Sequence, residues 1–188
     1  MGDKLEELYR NLLAEVGEDP SREGLMLTPG RAAEAMRYLT RGYSMDLREV
    51  LNDAFFEATG DGMVIVRNVE YFSLCEHHLL PFFGRVHVGY IPREKIIGLS
   101  KIGRVVDVFA RRLQVQERMT TQIAEAIDRA IRPEGVAVVA EGRHLCMMAR
   151  GIEKQHSSVM TSHVIGVFRD DSATRNEFLS LIRRDPDE

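Results

Sequence analysis

No stretch of this sequence approaches the ~18 consecutive apolar residues that a membrane-spanning helix requires. Nor is there an excess of positive charge to draw the chain to nucleic acid or to a membrane surface. The formal net charge is -4 and the pI is near 5.9, so any anionic ligand needs a local cluster of cations. The N-terminal stretch MGDKLEELYRNLLAEVGEDP is acidic and amphipathic and lacks the apolar run of a secretory signal. A cytoplasmic, reducing location is therefore expected. Cysteine is scarce, with Cys75 and Cys146 alone, and in a reducing compartment free thiols or metal ligands are expected before a disulfide. Internal repeats and low-complexity segments are also missing. What remains, 188 residues with 44% hydrophobic and 29% charged, is enough for one sizeable core or one domain with a helical appendage.

The periodicity changes once along the chain. Leu5, Leu8, Leu12 and Val16 recur at helical spacing, and TPGRAAEAMRYL offers Thr28 as a helix cap, Pro29 at the first helical position and Ala32, Met36 and Leu39 on one face. MDLREVLNDAFF repeats the helical pattern with Leu47, Val50 and Leu51. The Gly/Asp turn cluster Glu57 to Gly62 ends it and predicts a helical region over 1–60 and a second domain over 61–188. MVIVRNVEYFSL and GRVHVGYIP then read as strands, the latter alternating Val86, Val88 and Tyr90 with Arg85, His87 and Gly89. Two helices follow, with stripes of Ile102, Val105, Val106 and Phe109 and of Met119, Ile123, Ile127 and Ala130. GVAVVAEGRHLCMM and SSVMTSHVIGVF read as strands again, and a last helix turns Phe178, Leu181 and Ile182 inward. Hairpin-connected strands with helices grouped between them predict an α+β fold with an antiparallel sheet.

The segment SLCEHHLLPFFG places Cys75 and His78 two residues apart, a spacing at which one turn can offer both to a single ion. Thiolate with imidazole favours zinc, and Cys146 would complete a Cys₂His set with one coordination position left for water, the open arrangement of catalytic zinc. On a strand, His144 and Cys146 project to one side, which makes His144 a candidate acid/base group beside the metal. Spacing alone leaves two alternatives standing: a structural zinc closed by His77 or His144, and ordinary packed residues. His87 and His163 alternate with apolar strand residues and His156 lies in a loop, so these read as core or solvated histidines.

CEHHLLPFFGRVHVGYIP, GLSKIGRVVDVFARRLQVQERMTTQIAEAI, HLCMMARG and TSHVIGVF…TRNEFLSLIR, in that order, resemble the GTP cyclohydrolase I family. The resemblance extends over nearly all of residues 62–184 and to TPGRAAEAM in the helical part. It implies a tunnelling fold (T-fold), ββααββ, in which each subunit contributes a four-stranded antiparallel sheet and two helices. Five such sheets close a barrel, two pentamers stack into a homodecamer, and the active sites lie between subunits. It further implies an enzyme that hydrolyses C8 of GTP out as formate and yields 7,8-dihydroneopterin triphosphate, for folate or related cofactors.

The resemblance also implies roles. Cys75, His78 and Cys146 match the family's zinc ligands, and His144 and His77 its acid/base histidines. Glu117 matches the carboxylate that accepts the N1–H and 2-amino donors of guanine, and Gln116 a neighbouring base contact. Lys101, Arg104, Arg150 and Arg31 match phosphate contacts, and Ser100 a hydroxyl near the ribose. Two departures stand out: Glu34 replaces a lysine usual in the family, and the loop GIEKQHSSVMTS differs at His156 and Ser158. Both bear on triphosphate affinity. A nitrile reductase of the same superfamily, with a cysteine nucleophile and NADPH, is disfavoured by the pairing of CEHH with HLC. A non-catalytic zinc-stabilised interaction module would have no need of Glu117 or of the Lys101, Arg104 and Arg150 cations.

Overall fold

The computed structural model describes residues 2–52 and 54–183. The chain forms two compact units, Met1–Arg41 and Gly42–Glu188. In the first, α1 (Lys4–Glu15) begins where Asp3 accepts a bond from the Leu5 amide, and α2 (Thr28–Leu39) follows after a turn. The Asp3 carboxylate also pairs with Arg37 of α2, which ties the two helices together. Thr28, expected to cap α2, is instead its first helical residue, and its hydroxyl turns back to the Gly24 carbonyl at 3.5 Å. Leu8 and Leu12 on α1 stay 56% and 53% exposed.

The second unit runs α3 (Leu47–Leu51), β1 (Phe55–Glu57), β2 (Val64–Cys75), β3 (Pro81–Ile91), β4 (Lys95–Ile97), α4 (Leu99–Ala110), β5 (Leu113–Gln114), α5 (Gln116–Ile131), β6 (Gly135–His144), α6 (Leu145–Met148), β7 (Val159–Gly166), α7 (Val167–Asp170) and α8 (Ser172–Arg183). The helical reading of MDLREVLNDAFF fails after Leu51. Asn52 takes a left-handed φ of 43° that stops α3, and Phe55–Glu57 pairs with β4 as a small separate sheet. The compact units part at Arg41 and Gly42, and the turn cluster 57–62 lies within the second unit, between β1 and β2.

The main sheet has the order β5-β2-β3-β6-β7. Its four long strands are antiparallel, as the hairpin pattern predicts, and the two-residue β5 adds a parallel fifth at Leu74↔Leu113 and Cys75↔Gln114. One face carries Tyr71, Phe82, Val86, Val88, Tyr90, Val136 and Val138 into a core with Ile102, Val105 and Val106 of α4 and Met119, Ile123 and Ile127 of α5. These residues are nearly or fully withdrawn from water, each burial contributing about 1.5–3 kcal/mol before conformational costs. Part of the other face packs a second core, Ala137, Val139, Phe168 and Phe178, beneath α7 and α8. A Cβ on Gly89 would lie 2.7 Å from the Phe178 ring, so the missing side chain is what lets α8 settle on β3. Burial on both faces also explains why His87 is only 7% exposed despite its polar place in the alternation.

Candidate metal centre and active site

The turn joining β2 to β3 builds the first half of the site. The Cys75 amide donates to the Leu80 carbonyl at 2.8 Å, while the Cys75 carbonyl accepts from the His78 and Leu79 amides at 3.3 and 2.8 Å. Leu79 closes the turn at a left-handed φ of 57°. This folds His78 back until its Nδ1 is 3.7 Å from Cys75 Sγ. Two ligands bound to one tetrahedral ion at zinc–sulfur and zinc–nitrogen distances lie about 3.6 Å apart, so the pair has the spacing the ion needs.

Cys146 arrives differently from the sequence expectation. β6 ends at His144, and Leu145–Met148 coils into the short helix α6, so strand alternation does not relate His144 to Cys146. The helical turn brings the thiol in nonetheless: the ligand atoms of Cys75, His78 and Cys146 all lie within 4.8 Å of one another. Burial, and next the neighbouring Cys75, push the Cys146 thiol pKa above its ordinary value. A divalent cation would relieve both effects by holding the sulfurs as thiolates. His77 also faces the cluster, with Nδ1 3.9 Å from Cys75 Sγ and its ring edge-on to that of His78.

Beside the cluster, the His144 ring stacks on its strand partner Phe82, with centroids 4.5 Å apart and planes 7° from parallel. Its Nε2 lies 2.9 Å from Oε1 of Gln116, the first residue of α5. Burial lowers the His144 pKa, opposed by the charge of Glu117, so the ring is held toward its neutral form. Glu117 itself is exposed in the first turn of α5, free to meet a ligand. Gln116 is not: it is 1% exposed, and its amide nitrogen is committed to the Ala140 and Val159 carbonyls and the Thr161 hydroxyl. The side-chain base contact expected of Gln116 is therefore spent inside the chain.

The cations divide. Arg150 lies at the cluster, its guanidinium 3.1 Å from His78 Nε2. Ser100, Lys101 and Arg104 occupy the start of α4, whereas the other end of that helix abuts the Cys75 strand, where the Leu74 amide donates to the Arg112 carbonyl. At 1.5 Å per residue, roughly 14 Å of helix separates Lys101 from that end. One chain thus does not gather these three with the cysteines. Arg31 and Glu34 are exposed on α2 in the first unit, and His156 and Ser158 are exposed in the loop before β7. Ser158 helps line a 440 Å³ cavity with Phe72, Phe83, Arg85, Glu141 and Arg143, on the sheet face opposite His144 and Gln116.

Sequence reasoning missed the polar frame around the turn. Arg118 of α5 ion-pairs with Glu76 and donates to Gln114 Oε1 at 2.9 Å, and the buried Gln114 amide reaches the Phe109 carbonyl and Gln122. Opposite charges were the available signal, but Glu76 and Arg118 stand 42 positions apart, and only the register of β5 on β2 joins them.

A family model described as GTP cyclohydrolase I matches residues 5–183. Curated relatives agree over almost their whole length. "GTP cyclohydrolase 1" of Methylococcus capsulatus is 59% identical over 98% of this chain and 100% of its own. The protein of that name from Alkalilimnicola ehrlichii is 58% identical over 97% and 99%. "GTP cyclohydrolase 1 1" of Pseudomonas aeruginosa is 56% identical over 98% and 99%.

Proposed function

The chain belongs to the GTP cyclohydrolase I family, and from that premise we propose that it hydrolyses GTP to formate and 7,8-dihydroneopterin triphosphate at a zinc centre held by Cys75, His78 and Cys146. The observation that carries the metal assignment is the convergence of three soft or borderline ligands within 4.8 Å, from a turn and a helix far apart in sequence. Zinc bound by three protein ligands supplies a Lewis acid and brings the pKa of a coordinated water toward ~7.

The remaining steps belong to side chains. Attack at C8 is easier with N7 protonated, and ring opening and ribose rearrangement demand further proton transfers, which His144 and His77 carry. Glu117 accepts the two adjacent guanine donors, N1–H and the 2-amino group. Adenine lacks those donors and would leave the carboxylate unpaired. Arg150 binds the triphosphate from the same chain, with Lys101, Arg104 and Arg31 as further phosphate contacts and Ser100 near the ribose.

The separation of Lys101 and Arg104 from the cysteines along α4 supports a site completed by a neighbouring copy, as in a homodecamer of two pentamers. The long outer edges of β2 and β7, unpaired within the described residues over most of their length, favour closure by neighbours. A cytoplasmic location fits a chain whose described residues contain no helix long and apolar enough to cross a membrane. The deciding experiment is incubation of the zinc-loaded protein with GTP. Formate and a pterin that fluoresces after oxidation are expected, and a zinc-replete protein that makes neither would overturn the reading.

A further inference from the structure

Gln116 sits at the centre of a closed hydrogen-bond circuit whose direction can be worked out atom by atom. The Thr120 hydroxyl donates to the Gln116 main-chain carbonyl at 2.7 Å, so its proton is spent. At the 2.7 Å contact between Thr120 and Thr161 hydroxyls, Thr161 must then be the donor. With its own proton spent, Thr161 Oγ1 can only accept from the Gln116 side chain, 3.2 Å away. The Ala140 and Val159 carbonyls, at 3.0 and 2.9 Å from the same amide nitrogen, can also only accept. Three acceptors around one atom fix it as NH₂. The reverse amide would set Oε1 against two buried carbonyls and leave several polar groups without partners.

Oε1 therefore points the other way, to the Tyr71 hydroxyl at 3.3 Å and His144 Nε2 at 2.9 Å. Burial pushes the Tyr71 phenol pKa up, so it keeps its proton and donates. Oε1 has no hydrogen to offer, and so Nε2 of His144 must carry one. We infer that Gln116 is a positioning residue that holds His144 as the Nε2–H tautomer, leaving Nδ1 as the ring atom that accepts and returns the proton in the reaction. The Phe82 ring, stacked nearly parallel at 4.5 Å, opposes rotation of the imidazole out of this plane. The inference rests on the assignment of His144 to proton transfer, and it replaces the expected base contact from the Gln116 side chain.

Magic-angle-spinning ¹⁵N spectra of the histidine-labelled zinc enzyme, at a pH where the imidazole is neutral, report the tautomer directly. The His144 signals are identified by their loss in His144→Asn. A protonated Nε2 and a bare Nδ1 are expected, and a protonated Nδ1 overturns the inference. In steady-state assays, Gln116→Leu should lower kcat by at least ~10-fold, because positioned acid–base groups contribute ~10²–10⁴. Its KM for GTP should hold within about threefold, since only transition-state interactions are lost. A raised KM with kcat intact would make Gln116 a base contact and overturn the inference. Should Gln116→Leu fail to fold, the wild-type spectrum still decides. Full GTP turnover by His144→Asn would instead defeat the proton-transfer reading itself, whichever tautomer the spectra record.

Discussion

Arg118 reaches from the first turns of α5 to the carboxylate of Glu76, the residue between the proposed metal ligand Cys75 and proposed proton carrier His77. The same guanidinium donates to Gln114, whose main-chain carbonyl accepts from the Glu76 amide at 3.1 Å. The turn that presents Cys75 and His78 is thus braced against the helix that presents Gln116 and Glu117. Orientation of metal ligands by such outer partners is typically worth 10–100-fold in metal affinity. Arg118→Ala should weaken zinc binding by about that factor, with Arg118→Lys intermediate because it keeps the charge and loses the fork. Competition with a chromophoric chelator measures it, and wild-type affinity in Arg118→Ala would dismiss the brace.

Removing one of the three proposed ligands should unload the metal outright. Cys146→Ser is expected to abolish stoichiometric zinc and GTP turnover together while leaving the fold intact, because Cys146 is only partly buried in the short helix α6. Metal analysis of the purified variant and its far-ultraviolet circular dichroism separate the two effects. Retention of full zinc by Cys146→Ser would remove Cys146 from the ligand set.

Glu117 faces solvent while its neighbour Gln116 is buried, which suits the proposed division of base recognition and support between these adjacent positions at the start of α5. Glu117→Gln loses the charge that matches two guanine donors and should reduce kcat/KM for GTP by ~100-fold or more. Discrimination against inosine triphosphate, which lacks the 2-amino donor, should shrink in the same variant. Undiminished GTP turnover would remove Glu117 from base recognition.

Most of the scaffold was legible because burial on a regular element leaves a periodic trace. Ile102, Val105 and Val106 on α4 and Met119, Ile123 and Ile127 on α5 are buried as their spacing predicts. The metal cluster was legible through residue type, since two cysteines and adjacent histidines are rare enough to draw notice. The hidden parts depend on long-range register, which no local pattern encodes. Gln116 looks like a helix-opening polar residue until β6 and β7 bring Ala140, Val159 and Thr161 around its amide. Likewise α6 interrupts an apparent strand at His144, where apolar Leu145, Met147 and Met148 suit a helical turn as well as a strand.

Burial lowers the pKa of His87, whose Nδ1 accepts from the Asn68 amide at the bulge in β2; Glu141 opposes the shift, while Arg67 and Arg85 add to it. A histidine held neutral in the fold but free to protonate at about 6.5 when unfolded contributes stability that is complete above that pH. The contribution is lost as pH falls from the unfolded value through the lowered folded one. Thermal melts should therefore weaken on acidification below about pH 6.5, and His87→Gln, which cannot titrate, should show a flatter slope there. Parallel slopes for the two proteins would place the acid sensitivity elsewhere.

Gly142 offers a steric test of the circuit around His144 without replacing any of its members. It lies opposite Gly84 in the β3–β6 register, and a Cβ there would fall 2.3 Å from the Tyr71 hydroxyl and 2.5 Å from Gln116 Oε1. Tyr71 is 1% exposed and packed edge-on to Phe82, so it has little room to withdraw, and Gln116 is held by its three acceptors. Gly142→Ala must then push the carboxamide oxygen off His144 Nε2 while leaving the cysteines and His78 in place. Zinc content should remain stoichiometric while kcat falls by ~10-fold or more, the size of a misplaced acid–base group. A Gly142→Ala enzyme with normal kcat would mean that His144 does not need the Gln116 oxygen to do its work.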